Sequence, residues 1–190
     1  MVYVGLDLGQ KRDHTAIAVL EATQWKERIV RHAERVMLGT PWSRVVERVR
    51  EIVRHPRMAG DCALAVDATG IGAPVVESLR AAGLGCEIAA VTITGGERET
   101  RTADGFHVPK KDLMAGLRLG LENGDIMIAK HMREAKALVR ELIDIKAQGN
   151  RIGAEGANRH DDLVIAVALA VWRANQPKPK PIMFHATRLI

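Results

Sequence analysis

The chain has 190 residues, room for one domain with a real core, and 47% of them are hydrophobic against 27% charged. A net charge of +5 favours polyanionic partners mildly, while an aromatic share of 3% leaves too little for stacking single-stranded bases. Two cysteines, Cys62 and Cys86, exclude a disulfide scaffold and a cysteine-rich zinc site, and they fit a reducing cytoplasm. The longest apolar run, 163–172, is too short to span a bilayer, and neither a basic-then-apolar leader nor a GxxxxGK[ST] loop is present.

Taken in order, the apolar run from Val2 to Leu6 stops at Asp7, and a polar turn from Leu8 to His14 leads into the β-branched run Thr15 to Leu20. This reads as two strands of a hairpin. Ile29 to Leu38 gives a third strand, making an antiparallel meander with Asp7 at the end of its first strand. A helix opens at Pro41-Trp42-Ser43, with Val45, Val46, Val49, Ile52 and Val53 at helical spacing. Its arginines fall on the other positions and read as a solvated face, whereas Trp42 and Trp172 read as core.

Cys62 to Val66 reads as a buried strand ending at Asp67. Thr69-Gly70 then turns the chain into a helix from Val75 to Ala82, stopped by Gly83 and Gly85, and Glu87 to Val91 forms the next strand. Strand, helix, strand implies a crossover and parallel pairing. Residues 94–108 read as a long polar loop of the kind often used for function. A helix follows from Pro109 to Asn123, then a brief strand at 126–128, a helix over 132–143 and a small hairpin over 145–154 around Gly149-Asn150. Asn158 to Asp162 precede an alanine-rich apolar helix ending near Asn175. Pro177 to Pro181 is stiff and extended, so the expected organisation is one domain over 1–175 and a Pro/Lys-rich tail over 176–190.

Four acidic residues stand out by context. Asp7 and Asp67 end strands, and Asp161 and Asp162 head a buried helix. In an open α/β sheet, functional groups gather beyond the carboxyl ends of parallel strands, and a helix packed across the sheet would bring the pair to the same point. Clustered carboxylates repel, and divalent cations resolve the repulsion. Hard oxygen ligands favour Mg²⁺ or Mn²⁺ over Zn²⁺, and two ions about 3.5–4 Å apart suit in-line attack on a phosphodiester. The plainer reading makes Asp7 a turn residue, Asp67 an Asx-turn, Asp161 an N-cap and Asp162 a favourable charge in a first helical turn. Adjacent helical residues point about 100° apart, so spacing does not settle which of the last two is the ligand; Asp162 is favoured, with Asp161 as cap or supporting group.

Lys110 and Lys111 stand in a first helical turn, where positive charge opposes the helix dipole. They read as a phosphate contact or as a solvated pair. Arg98 and Arg101 in the preceding loop could add backbone contacts, and His160 could orient Asp161, touch a phosphate or be structural.

The stretches Gly5-Leu-Asp7-Leu-Gly9, Asp13 to Val19, Ala65 to Gly72, Val108 to Leu113 and His160 to Ala170 together resemble the nuclease domain of the large terminase subunit of tailed bacteriophages. The His-Asp-Asp-Leu opening of a small-apolar helix is the most specific piece, and the resemblance spans residues 2 to about 173. It implies a ribonuclease H-like fold: a mixed α/β sheet of about five strands, an antiparallel three-strand meander plus parallel strands, with helices on both faces. It further implies a two-ion Mg²⁺ or Mn²⁺ cluster at Asp7, Asp67 and one or both of Asp161 and Asp162, and cleavage of double-stranded DNA during genome packaging in a bacterial cytoplasm. The implied partners are a terminase ATPase domain, a small subunit and a portal; no segment of this chain corresponds to the ATPase motor. Where the family often carries a further Asp one turn on, Ile165 and Ala166 stand. The Asp7 opening also resembles the phosphate loop of actin-like ATPases and sugar kinases, and a non-catalytic DNA-docking module is a third reading; nucleotide titration and plasmid nicking separate the three.

Overall fold

A run that is apolar at every position makes a strand buried on both faces. Val2–Asp7 (β1) is that strand, near the middle of one eight-stranded sheet. The computed structural model describes residues 1–9, 13–23, 27–58, 61–70, 72–147 and 161–177. β1 pairs antiparallel with Ala16–Ala22 (β2), and β2 pairs antiparallel with Arg28–Arg35 (β3). The helix Trp42–Val53 (α1) follows. Cys62–Asp67 (β4) then lies parallel to β1 on its other side. The helix Gly72–Ala81 (α2) leads to Glu87–Thr94 (β5), parallel to β4. Thr100–Arg101 (β6) and Phe106–Pro109 (β7) form a hairpin whose second strand lies parallel to β5. The helix Lys110–Glu122 (α3), the strand Ile126–Ile128 (β8, parallel to β3), and the helices Ala135–Ala147 (α4) and Asp162–Asn175 (α5) complete the chain. The strand order is β6-β7-β5-β4-β1-β2-β3-β8.

Each face of the sheet carries its own core. Val4, Leu6, Ile17, Leu64 and Val66 meet Val45, Val49, Val75 and Leu79 of α1 and α2. The opposite face offers small residues (Ala16, Ala18, Ala63, Ala65 and Ala89) and is covered by α5, with α3 and α4 beyond. That smallness lets α5 come close. A Cβ built on Gly5 would stand 1.9 Å from the Ala166 carbonyl oxygen, so only glycine permits this crossing. Every residue of α5 from Asp162 to Arg173 is buried, as an all-round apolar helix between sheet and helices must be.

The meander, the parallel crossovers and the helices on both faces are as expected. Other boundaries move. β3 ends at Arg35, and Met37 to Thr40 form a turn closed by the Thr40 N–H on the Met37 carbonyl, with Gly39 at φ 77°. α2 starts at Gly72, because proline at position 74 still lies in a first turn whose N–H groups need no helical partner. Residues 94–108 contain the β6–β7 hairpin, because β5 offers an open edge and Phe106 packs edge-on against Trp172 with ring centroids 5.0 Å apart. α4 runs over 135–147, so the start of the hairpin expected at 145–154 is helical; the rest of it lies outside the described residues, as does 178–190 of the expected tail. Trp172 is buried, and Trp42 is half-buried against the α1 side. Among the described residues no helix is long and apolar enough to cross a membrane.

Candidate functional site

β1, β3, β4 and β5 all run in one direction, so their carboxyl ends share one edge of the sheet. Leu6 pairs with Val66, which sets Asp7 and Asp67 side by side at the next position. The close crossing of α5 brings its N-terminus, with Asp161 and Asp162, to the same edge, and α3 begins there with Lys110. All five side chains line one cleft of about 640 Å³, together with Asp13, Thr69 and Ile165. The structure thus brings together the four acids singled out from three separate stretches of sequence.

Their charges act on one another. Burial, and then the carboxylates of Asp67, Asp162 and Asp161, push the Asp7 carboxyl well above its ordinary range, and Lys110 only partly opposes this. Burial also raises Asp67, against hydrogen bonds from the Thr69 hydroxyl (2.5 Å), the Thr69 N–H (2.9 Å) and Asp7. The Thr69 hydroxyl accepts in turn from the Ile93 N–H at 2.9 Å, which ties the Asp67 turn to β5. Asp161 takes an ion pair from Lys110 Nζ at 2.8 Å. Asp162 is only 5% exposed, and its Oδ2 lies 3.6 Å from Arg35 Nε.

Among the described residues, no three His, Cys, Asp or Glu side chains are drawn together around a single point as a closed metal cage. The carboxylates line one cleft but lean on separate partners: Thr69 for Asp67, Lys110 for Asp161, Arg35 for Asp162. The donor set still fits a hard divalent ion. Among the described residues the donors lining the cleft are oxygens, with no His or Cys, and the burial and neighbouring negative charge that raise the Asp7 carboxyl are what a bound cation would offset. An open site that uses few carboxylates and leaves room for water is the usual way to hold Mg²⁺.

The other candidates are placed less centrally. Lys111 pairs with Glu97 on the turn after β5 and points away from the cleft lining. Arg98 is exposed on that turn, and Arg101 lies over the Phe106 ring at 5.3 Å. His160 lies outside the described residues. Asp161 occupies the N-cap position of α5, but its side chain makes no capping hydrogen bond, because Lys110 holds it instead. Sequence reading missed Thr69 as the orienting group of Asp67, and Arg35 as a cation at the same edge. For Thr69 the signal was its place two residues after a strand-end Asp. Arg35 carried none, since only the pairing of β3 puts it there.

No family model matches the chain, and no curated protein sequence does. Solved structures match. The large terminase nuclease from thermophilic phage G20c is 23% identical over 91% of this chain and 82% of its own, with a TM-score of 0.61. The human cytomegalovirus terminase nuclease domain, manganese-soaked and inhibitor-bound, is 14% identical over 92% and 83%, with a TM-score of 0.60. The large terminase nuclease domain of bacteriophage SPP1, with bound manganese, is 14% identical over 91% and 86%, with a TM-score of 0.57. At such identities the likeness is one of fold. The chain has the ribonuclease H-like fold of terminase nuclease domains.

Proposed function

We propose that this chain is a metal-dependent endonuclease that hydrolyses phosphodiester bonds of double-stranded DNA, the nuclease part of a phage genome-packaging terminase. The observation that carries the reading is the cleft in which Asp7, Asp67, Asp161 and Asp162 converge, with Asp7 held protonated above its ordinary range by burial and by its neighbours' charge. Manganese in the neighbouring nuclease structures supports the same choice of cation. Residues 1–175 are the nuclease domain in this reading and 176–190 its tail. An ATPase domain, a small subunit and a portal in the host cytoplasm are the partners it would meet.

Asp7, Asp67 and Asp162 are the groups that would hold two Mg²⁺ or Mn²⁺ ions, with Asp161 in support. Held there, such ions would supply Lewis-acid chemistry, activating a water and offsetting charge on a leaving oxygen. The chain's own residues do the rest. Rigid neighbouring strands hold Asp7 and Asp67, and Thr69 orients the latter by two hydrogen bonds. Lys110 sits in the cleft with its charge shared by Asp161, from which it can move to a phosphate oxygen. Lys111, Arg98, Arg101 and His160 serve as flanking contacts to the DNA backbone; Lys111 lies on α3, Arg98 on the β5–β6 connection and Arg101 on β6. Contacts of this kind read the backbone, so sequence specificity is low; in-line attack by water, as the resemblance implies, would leave 5′-phosphate and 3′-hydroxyl ends.

Plasmid nicking in Mn²⁺ tests the reading. Asp7→Ala and Asp67→Ala abolish cleavage while circular dichroism stays native. Wild-type nicking by either folded variant would refute the assignment.

A further inference from the structure

We propose that Glu141, on α4 and outside the cleft lining, is a positioning residue of this centre: with Arg35 it sets where Asp162 stands. The inference rests on the metal-site reading above and extends it to a second layer of residues.

A helix N-terminus leaves its first N–H groups without partners, and an N-cap side chain normally accepts from the third of them. In α5 Asp161 does not do so. The Val164 N–H donates instead to Glu141 Oε2 at 3.2 Å, so a carboxylate from another helix caps α5. This leaves Asp161 for Lys110 and keeps Asp162 at the cleft. Glu141 is only 7% exposed, and its other oxygen takes the Arg35 guanidinium. Arg35 Nη1 lies 3.6 Å from Glu134, and Nε lies 3.6 Å from Asp162 Oδ2. One guanidinium therefore faces three carboxylates, an arrangement that its rigid planar fork of donors holds in a fixed geometry.

A buried ion pair of this type adds little stability over well-packed apolar residues. Its use here is geometric. Glu141 takes up most of the Arg35 charge, which keeps that charge from drawing the Asp162 carboxylate away from the cleft. Partners behind a metal ligand commonly change metal affinity about 10–100-fold when altered.

Mn²⁺ binding to the full chain, read by electron paramagnetic resonance of the free ion at pH 7.5, provides the test. Wild type binds, and Asp7→Asn does not. Glu141→Gln keeps an acceptor for Val164 but loses its charge; it stays folded by circular dichroism and binds at least about tenfold more weakly. Arg35→Lys shifts affinity the same way. In an Asp162→Asn background, Glu141→Gln causes no further loss, because it acts through Asp162. Wild-type affinity in folded Glu141→Gln, or in Arg35→Lys if the first variant fails to fold, overturns the positioning role and leaves the metal site standing. Loss of fold in both variants makes the pair structural and overturns it as well. If wild type does not bind Mn²⁺, or if Asp7→Asn binds like wild type, the metal-site reading falls and this inference with it.

Discussion

A buried carboxyl beside other carboxyls is a group the fold itself would prefer to keep neutral. Asp7 is that group: burial and three neighbouring acids raise its pKa, while an unfolded chain would ionise it near 4. The folded state therefore binds the proton more tightly than the unfolded one. The stability that this proton contributes is present below about pH 4 and is lost as pH rises through the folded value. Asp7→Asn removes the penalty, so in chelator at pH 7.5 it melts higher than wild type, by a few degrees, since about 1 kcal/mol moves a domain of this size by about 2–4 °C. At pH 4 the two melt together. A variant that melts lower at pH 7.5 would mean that Asp7 is not repelled. Glu34 titrates in the opposite sense: burial works to raise it, but hydrogen bonds from His32 and Arg48 bring it down to about 2, so its contribution is present above pH 4.5 and fades toward 2. Comparing two proteins that share Glu34 cancels that term. At this scale the sequence was informative where chemistry coincides with a local signal. Asp7 and Asp67 close apolar runs, and Asp161 and Asp162 open one. Arg35 and Glu141 lie 106 residues apart and meet only through the fold, so nothing near either of them announced the pair.

At the scale of elements, the site depends on how closely α5 crosses β1. The alanines of both surfaces and Gly5 set that distance. Gly5→Ala puts a methyl into the Ala166 backbone, which cannot rotate away, so it costs about 3 kcal/mol and shifts the α5 N-terminus. Urea unfolding measures this as a lower midpoint with an unchanged slope; a wild-type midpoint would show that the crossing is looser than described. The central strands and long helices were legible because their periodicity is strong. β6 and β7 were not, having two and four residues, too few for any pattern, and they exist because the edge of β5 needs partners, whereas β8 was legible as the short apolar run 126–128. The α5 helix was legible as buried, but its exact cap was not, since Glu141 supplies it from outside.

For the whole molecule, topology does what spacing along the chain cannot. Five strands end at one edge, a helix delivers two acids to it, and four carboxylates from distant stretches share one cleft. The nucleotide-binding alternative shares the opening strand and turn, and nucleotide titration separates it from the nuclease reading; the likeness to terminase nuclease domains, at 14–23% identity, is one of fold. The weak positive charge suits a partner bound through its phosphates and leaves the cleft acidic for cations. Anomalous scattering from a crystal soaked in Mn²⁺ measures this claim most directly. The account predicts peaks in the cleft within coordination distance of Asp7, Asp67 and Asp162 oxygens. A cleft without such a peak, in a soaked crystal of protein that nicks DNA in Mn²⁺, would contradict it.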